Sequence, residues 1–482
     1  MKSTLFLSIA VGPEPVFLFQ RQLSSTVINV MDSDNMIVSP SDSPKPNKPP
    51  SLPITENYRR NGVSGRSILI NFICGMMGPG CFSVALSFKQ AGLWAGLALV
   101  FLIGVLSLIS MYKLILCSQH LGKLIEGKTV DYGNTAAGVF RNSYVWIRPY
   151  ERQARWVVDA CLIAFQLGVL SVSFVFAADH ILEVVEFFIG KGHGLSNTTI
   201  MLLFFVPQLC VNLVQNIRVI TYLSACGNVI IFLAILLVTK ELILHEKYSP
   251  SSLPSVTNFS GLTIAAGGLM YAFEGQAMVL AMENRLKNGA DMIGFTGVLS
   301  TSMNVVMLIY AFLGFFGYLT FGPSVAGSLT LNLPNSSLMI AVKLLLVVKI
   351  FLGSALQLYV IISILSAPIA ARFCKGSSRH SSASEYLLRI ILTTFSLVVA
   401  LCVPNLYDII PLVGITAGML LSLILPAVLH TLMFLPNFLS KENNLLRTVC
   451  LFVENFTLFA LGWMFLATGL YSNISSIVSK YN

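Results

Sequence analysis

Two stretches of this chain place residues able to do chemistry inside apolar surroundings. The first, "CGMMGPGCFSVALSF" (74–88), sets Gly75, Gly78 and Gly80 around Pro79 within six residues, with Cys81 next. Glycine and proline break helices, and a break strips backbone N–H and C=O groups of their intrahelical partners. N–H groups at the start of a half-helix bind an anion such as a carboxylate without any charged side chain. Glycine lets that anion approach closely, while Pro79 offers no N–H but presets the bend. The second stretch, "AAGGLMYAFEGQAMVLAMEN" (265–284), repeats the irregularity with Gly267, Gly268 and Gly275. Carbonyls freed around Gly268–Phe273 suit an ammonium group, with Tyr271 and Phe273 as pocket walls or, equally, as ordinary packing residues. Glycines used only for close helix contact are the competing explanation.

Glu274 is the sharpest single residue. A carboxylate at membrane depth is expensive and marks a functional position by default. Buried without a partner, it exchanges protons near neutral pH, which makes it a proton-coupling candidate. The alternative is a carboxylate held by the N–H groups of the break. Glu283, nearer the end of the run, is a second candidate, with capping or pairing to Arg285 as the simpler role. Asp159 and Lys349 are further charges inside apolar runs, and His430 reads as a satisfied packing histidine. The sequence shows no nucleophile–base arrangement, phosphate loop or metal cluster, so neither an enzyme nor a metal or other cofactor is expected.

The elements that must position these groups follow from composition. The chain has 482 residues, 55% hydrophobic and 11% charged, with mean hydropathy +0.79. That is too apolar for a soluble protein of this size, and repeated uncharged runs of about 20 residues match a bilayer core of roughly 30 Å. The net charge of +9 is a topological signal rather than a nucleic-acid footprint. Lys123, Lys128, Arg141, Arg148, Arg152 and Arg155 share one loop, and Arg285 and Lys287, Arg372, Lys375 and Arg379, and Lys441 and Arg447 fall in alternate later loops. The positive-inside rule puts these loops in the cytoplasm. None of the nine cysteines falls in a loop on the far side, so no disulfide framework is expected.

Apolar runs place eleven spans near 66–88, 92–117, 156–186, 199–217, 219–240, 262–282, 292–320, 339–371, 386–403, 408–434 and 448–472. The expected order is a disordered cytoplasmic tail (1–61), a membrane domain (62–472) and a short non-cytoplasmic C-terminal tail (473–482). The first residues carry a weak, proline-broken signal-like run. Four glycosylation sequons, at Asn197, Asn258, Asn335 and Asn473, fall on the non-cytoplasmic side. Interrupted spans one and six, five spans apart, are the signature of an inverted-repeat transporter's binding site. This divides the domain into repeat one (about 62–240), repeat two (about 262–434) and an extra helix (about 448–472).

"YAFEGQAMVLAMEN" (271–284), "GFFGYLTFGPSVAGSLTLNLPN" (314–335), "VPNLYDIIPLVGITAGMLLSLILPAVLH" (403–430), "ALQLYV" (355–360) and "FKQAG" (88–92) resemble the proton-coupled amino acid transporters, a branch of the amino acid/auxin permease superfamily. The resemblance covers roughly 62–472. It implies an all-α membrane protein with a LeuT-like 5+5 inverted repeat plus one helix, carrying small neutral amino acids, usually with a proton. The substrate α-carboxylate is then expected on the backbone of Gly78, Gly80 and Cys81. The family's first helix carries a histidine and, three residues on, a lysine; here Asn71 and Cys74 stand in their places, although the GxxGxG glycines match. The plasma membrane and the lysosomal or endosomal membrane both suit such a protein. An amino-acid-sensing receptor using the same site is the alternative.

Overall fold

The computed structural model describes residues 62–124, 130–190, 194–373, 378–439 and 445–481. The expected N-terminal tail, Lys128, Lys191, Cys374, Lys375 and Lys441 lie outside the described residues. The described chain is all-helical apart from one isolated bridge, Val63 to Leu286.

The principal helices are α1 (Gly65–Met76), α2 (Pro79–Ala91), α3 (Leu93–Leu124), α4 (Tyr132–Arg141), α5 (Glu151–Ile189), α6 (Asn197–Asn212) and α7 (Ile217–Leu244). The second half comprises α8 (Phe259–Ala272), α9 (Gln276–Glu283), α10 (Val298–Phe321), α11 (Ser337–Phe373), α12 (Ser378–Cys402), α13 (Leu406–Val413), α14 (Leu425–Leu439) and α15 (Leu445–Tyr481). Helices dominate because a bilayer offers no partner for backbone polar groups, so each crossing must bond internally. Among the described residues nine helical segments are long and apolar enough to cross a bilayer, and the bent pair α1–α2 makes a tenth crossing.

The eleventh expected span, 199–217, is the 16-residue α6, about 24 Å long at 1.5 Å per residue. It stops where the fully buried Arg389 takes its final carbonyls: Nη1 donates to Asn212 O at 2.8 Å and to Val214 O at 3.2 Å. Glu385 balances that guanidinium at 2.8 Å. The last helix also departs from expectation. α15 runs on to Tyr481, so residues 473–481 continue the helix instead of forming a tail.

The two broken crossings are tied to each other at both ends through the backbone. At one end, Val63 N donates to Arg285 O at 2.8 Å and Lys287 N to Val63 O at 2.9 Å, joining the approach to α1 with the exit from α9. At the other, Leu93 N donates to Pro254 O and Thr257 N to Ala91 O, each at 2.9 Å, joining the exit from α2 with the approach to α8. α3, α10, the α13–α14 crossing and α15 then enclose the pair.

Candidate functional site

The first break is short. α1 ends at Met76, Met77 and Gly78 are extended, and α2 starts at Pro79 at an angle of 56°. Proline at the first helical position forfeits only an N–H that the helix would not have used. Cys81 N reaches Gly78 O at 3.2 Å, which leaves the Gly80 N–H without a backbone acceptor among the described residues. A Cβ built on Gly78 would meet nothing within 4 Å, so open space adjoins the break. Gly80 is packed instead: its Cβ position lies 3.0 Å from Ala272 Cα and 3.2 Å from Tyr271 Cδ1. The break in the first crossing therefore touches the end of α8, just before the second break.

That second break is Phe273–Gly275, a few residues later than the glycines suggest. Gly267 and Gly268 lie within α8, and their missing side chains accommodate close neighbours. A Cβ on Gly268 would sit 2.7 Å from Ser87 Oγ, and one on Gly267 would meet Ile415 and, at 2.9 Å, Pro411 O. Gly75 is likewise helical, its open face filled by Met278 Sδ at 2.8 Å. Leu269 O still accepts from Phe273 N, so the carbonyls freed by the second break start at Met270 rather than at Gly268.

One side chain that the sequence reading passed over joins the two breaks. Tyr310, fully buried on α10, brings its hydroxyl within 2.7 Å of Met76 O and 3.1 Å of Ala272 O. Both are end-of-helix carbonyls lacking intrahelical partners, so one hydroxyl holds the two breaks at fixed separation. Its ring packs on Phe273 with centroids 4.9 Å apart. Tyr271 packs on Phe165 of α5 at 5.9 Å, and Tyr271 lies beside Gly80 and the first break.

Glu274 lies within the second break, half-buried, and accepts from Ala277 N at 3.3 Å. Gln276 completes the cap: Gly275 N donates to its Oε1 at 3.1 Å, Ser422 Oγ donates to the same oxygen at 3.0 Å, and its Nε2 reaches Ser422 O at 3.4 Å. Ser422 belongs to a π-helical stretch, 420–424, that with 414–418 interrupts the α13–α14 crossing. Such wide turns recur at functional sites. Gly414 opens that stretch because a Cβ there would overlap Gly267 O and lie 2.8 Å from Tyr271 N.

Other expected residues fall elsewhere. Glu283 is buried at the far end of α9, where Gln119 Nε2 donates to it at 3.3 Å, beside Arg285, whose guanidinium burial lowers to about 9. Asp159 accepts from Arg155 at 3.4 Å, and His430 meets Asn455 at 3.1 Å, as a packing histidine should. Lys349 is half-buried midway along α11 with its Cγ 3.3 Å from a Cβ built on Gly227. Of the sequon asparagines, Asn258 and Asn335 are exposed. Asn197 is half-buried with Nδ2 on Asp179 Oδ1 at 2.6 Å. Asn473 is 1% exposed inside α15 with Nδ2 on Asp408 O at 3.3 Å, which leaves no room for a glycan on that nitrogen.

Two discontinuous helices, crossing with their breaks in contact inside a bundle of apolar spans, define a multi-pass membrane transporter. Residues 61–472 match the family described as transmembrane amino acid transporter protein, and the chain belongs to that family. Its relatives are carriers, so the function is amino acid transport rather than catalysis. The chain is 29% identical over 414 residues to the probable amino acid transporter skat-1 of Caenorhabditis elegans, covering 84% of this chain and 88% of that one. It is 26% identical over 395 residues to the proton-coupled amino acid transporter-like protein pathetic of Drosophila melanogaster, covering 79% and 81%. Among solved structures, MhsT in complex with L-phenylalanine superposes with a TM-score of 0.46 at 13% identity, over 86% of this chain and 100% of that chain. Mhp1 in its inward-facing conformation gives 0.47 at 11% identity, over 90% and 96%.

Proposed function

We propose that this protein is a proton-coupled carrier of small neutral amino acids with a LeuT-like arrangement of two inverted five-helix repeats, working by alternating access. The observation that carries the reading is the contact between the two breaks, pinned by Tyr310, beside the open space at Gly78. In this reading the α-carboxylate lies on the N–H of Gly80 and shares the N–H of Cys81 with Gly78 O, across from Gly78 and Pro79, at the positive end of α2. The α-ammonium lies on carbonyls of the Phe273–Gly275 segment, and Tyr271 with Phe165 bounds the side chain. Little volume remains between Gly80 and Ala272, which favours small substrates.

Alternating access requires one backbone tie to part while the other holds: Val63 to Arg285 and Lys287 on the cytoplasmic side, or the Ala91–Thr257 and Leu93–Pro254 pairs on the opposite side. Glu274 carries the coupling proton in this scheme. It sits in the second break and caps α9 through Ala277 N, so protonating it weakens that cap and links charge to the shape of the break. Glu283 answers to Gln119 at the cytoplasmic end and serves the inner closure. Orientation follows the charge bias, with the N-terminus cytoplasmic, and Asn258 and Asn335 are the glycan acceptors, in a plasma or endolysosomal membrane.

The test is uptake of radiolabelled glycine, alanine and proline into vesicles holding the purified protein, with and without an inward proton gradient. Gradient-driven accumulation is expected. Binding without uptake would replace the transporter with the receptor reading. Uptake that ignores the gradient would remove proton coupling alone.

A further inference from the structure

A cleft remote from the two breaks lies between α4, the start of α5 and α14. Its volume is about 290 Å³, and Ala136, Phe140, Val157, Val158, Val428 and Leu429 supply most of its wall. At roughly 30 Å³ per molecule it would hold about ten waters, yet buried waters need two to four polar partners each. Tyr150 and Gln153 are the polar residues of the lining, so the contents must be apolar. The lining residues of α5 recur at 153, 154, 157 and 158 on one face, apolar apart from Gln153, and Val157 is 51% exposed. The cleft thus opens sideways, toward lipid.

Charge and aromatic residues at the same end say which lipid. Trp146, Tyr150 and Trp156 are exposed beside the cleft, as rings of an interfacial belt are. Four arginines lie in the same short segment. Arg141 is neutralised by Glu151 at 2.6 Å, and Arg155 by Asp159 at 3.4 Å. Arg148 spends its Nε on Ser143 O at 3.1 Å, and neither Arg148 nor Arg152 meets a carboxylate at ion-pair distance among the described residues. Both are exposed and flank Tyr150 in sequence. Arg152 also acts on Glu151, but four guanidinium groups against the two carboxylates Glu151 and Asp159 leave residues 141–159 with a positive surplus at an interface, beside an acyl-sized slot, which is complementary to an anionic phospholipid. The second apolar cleft, about 180 Å³ on the other side of Val428 between α14 and α15, has Asn455 and Thr431 as polar lining and takes none of its wall from the arginine-bearing segment 141–155, and so lacks this complementarity.

We infer that the α4–α5–α14 cleft is a binding site for an anionic phospholipid, one acyl chain in the slot and the phosphate on Arg148 and Arg152. Two bonds frame it: Tyr132 Oη donates to Leu421 O at 2.9 Å and Ser143 Oγ to Leu432 O at 3.0 Å, so α4 is already fastened to the π-helical crossing at both ends of the cleft. A seated chain fills the space between those fastenings. The site does not depend on the transport reading.

The chain has four tryptophans, and Trp146 and Trp156 stand beside the cleft. In a Trp94→Phe/Trp463→Phe background, fluorescence is measured in phosphatidylcholine vesicles containing a minor fraction of either dibrominated phosphatidylserine or dibrominated phosphatidylcholine. Because both leaflets carry the probe, membrane orientation does not affect the result. Brominated phosphatidylserine should quench at a lower mole fraction than brominated phosphatidylcholine. Arg148→Gln and Arg152→Gln should each reduce that preference about fivefold, and the pair roughly thirtyfold, the factor for about 1 kcal/mol per arginine. Ala154→Phe, which fills the slot, should lose the excess quenching while the arginines remain. Equal quenching by the two lipids overturns the proposal, as does a phosphatidylserine preference that survives removal of both arginines.

Discussion

Replacing Tyr310 by Phe removes a single oxygen from the centre of the molecule and leaves the ring on Phe273 in place. The hydroxyl lies 2.7 Å from Met76 O and 3.1 Å from Ala272 O, and it has one proton to share between them. The residue is fully buried, so water does not take over the role. Leaving a buried acceptor unpaired costs about 1–3 kcal/mol. That cost falls on the paired arrangement of both breaks, which in the proposed mechanism is also the arrangement that binds substrate. Apparent affinity should therefore fall about 5- to 150-fold, at roughly tenfold per 1.4 kcal/mol, with a lower unfolding temperature. Tyr318→Phe on the same helix is the control, since Tyr318 is buried without a comparable bridge between breaks. The assay is equilibrium binding of labelled alanine to detergent-purified protein, alongside thermal unfolding. If Tyr310→Phe matches Tyr318→Phe in both, the hydroxyl does not join the breaks in the working protein and the reasoning fails.

Other perturbations separate packing glycines from site glycines. Gly78→Ala should leave unfolding temperature unchanged, because its Cβ meets nothing within 4 Å, while lowering uptake by crowding the ligand. Gly414→Ala should yield little folded protein, since its Cβ would press on Gly267 O and on Tyr271 N; normal expression would refute the close crossing. Val63→Pro deletes the N–H that bonds Arg285 O at 2.8 Å, so accessibility to a thiol reagent from the Val63 end should rise; unchanged labelling would mean the tie does not close that end. Lys349→Met should raise the unfolding temperature while reducing transport, because an ammonium deep in a span costs up to about 3 kcal/mol and is kept for function. A variant that transports normally would make Lys349 incidental.

Much of the fold is legible in the sequence because the bilayer sets the length of each crossing, and the runs at 92–117, 292–320 and 339–371 are recovered as long helices. The first break is legible too, since Pro79 within "GMMGPG" can start a helix but not continue one. The second is harder to place. Gly267 and Gly268 look like helix breakers, but they are helical and make room for Pro411, Ile415 and Ser87, partners far away in sequence. Glu274 marks the break more accurately, because the cost of a carboxylate there does not depend on knowing its neighbours. Tyr310 and Ser422 gave no local signal. A tyrosine and a serine in apolar helices become informative only when the carbonyls of Met76 and Ala272, or the amide of Gln276, are brought to them. The shortness of α6 depends similarly on Arg389, which is more than 170 residues away.

The central claim is that the two breaks enclose the substrate. Gly78 can be tested directly, because its extended backbone suits any residue and its side-chain direction is open. In a background with the native cysteines replaced, Gly78→Cys is labelled with a small thiol reagent, with and without saturating alanine. The account predicts that alanine protects Cys introduced at this position and leaves a cysteine placed at exposed Val145 unprotected. Equal labelling of the Gly78 position with and without amino acid would contradict it.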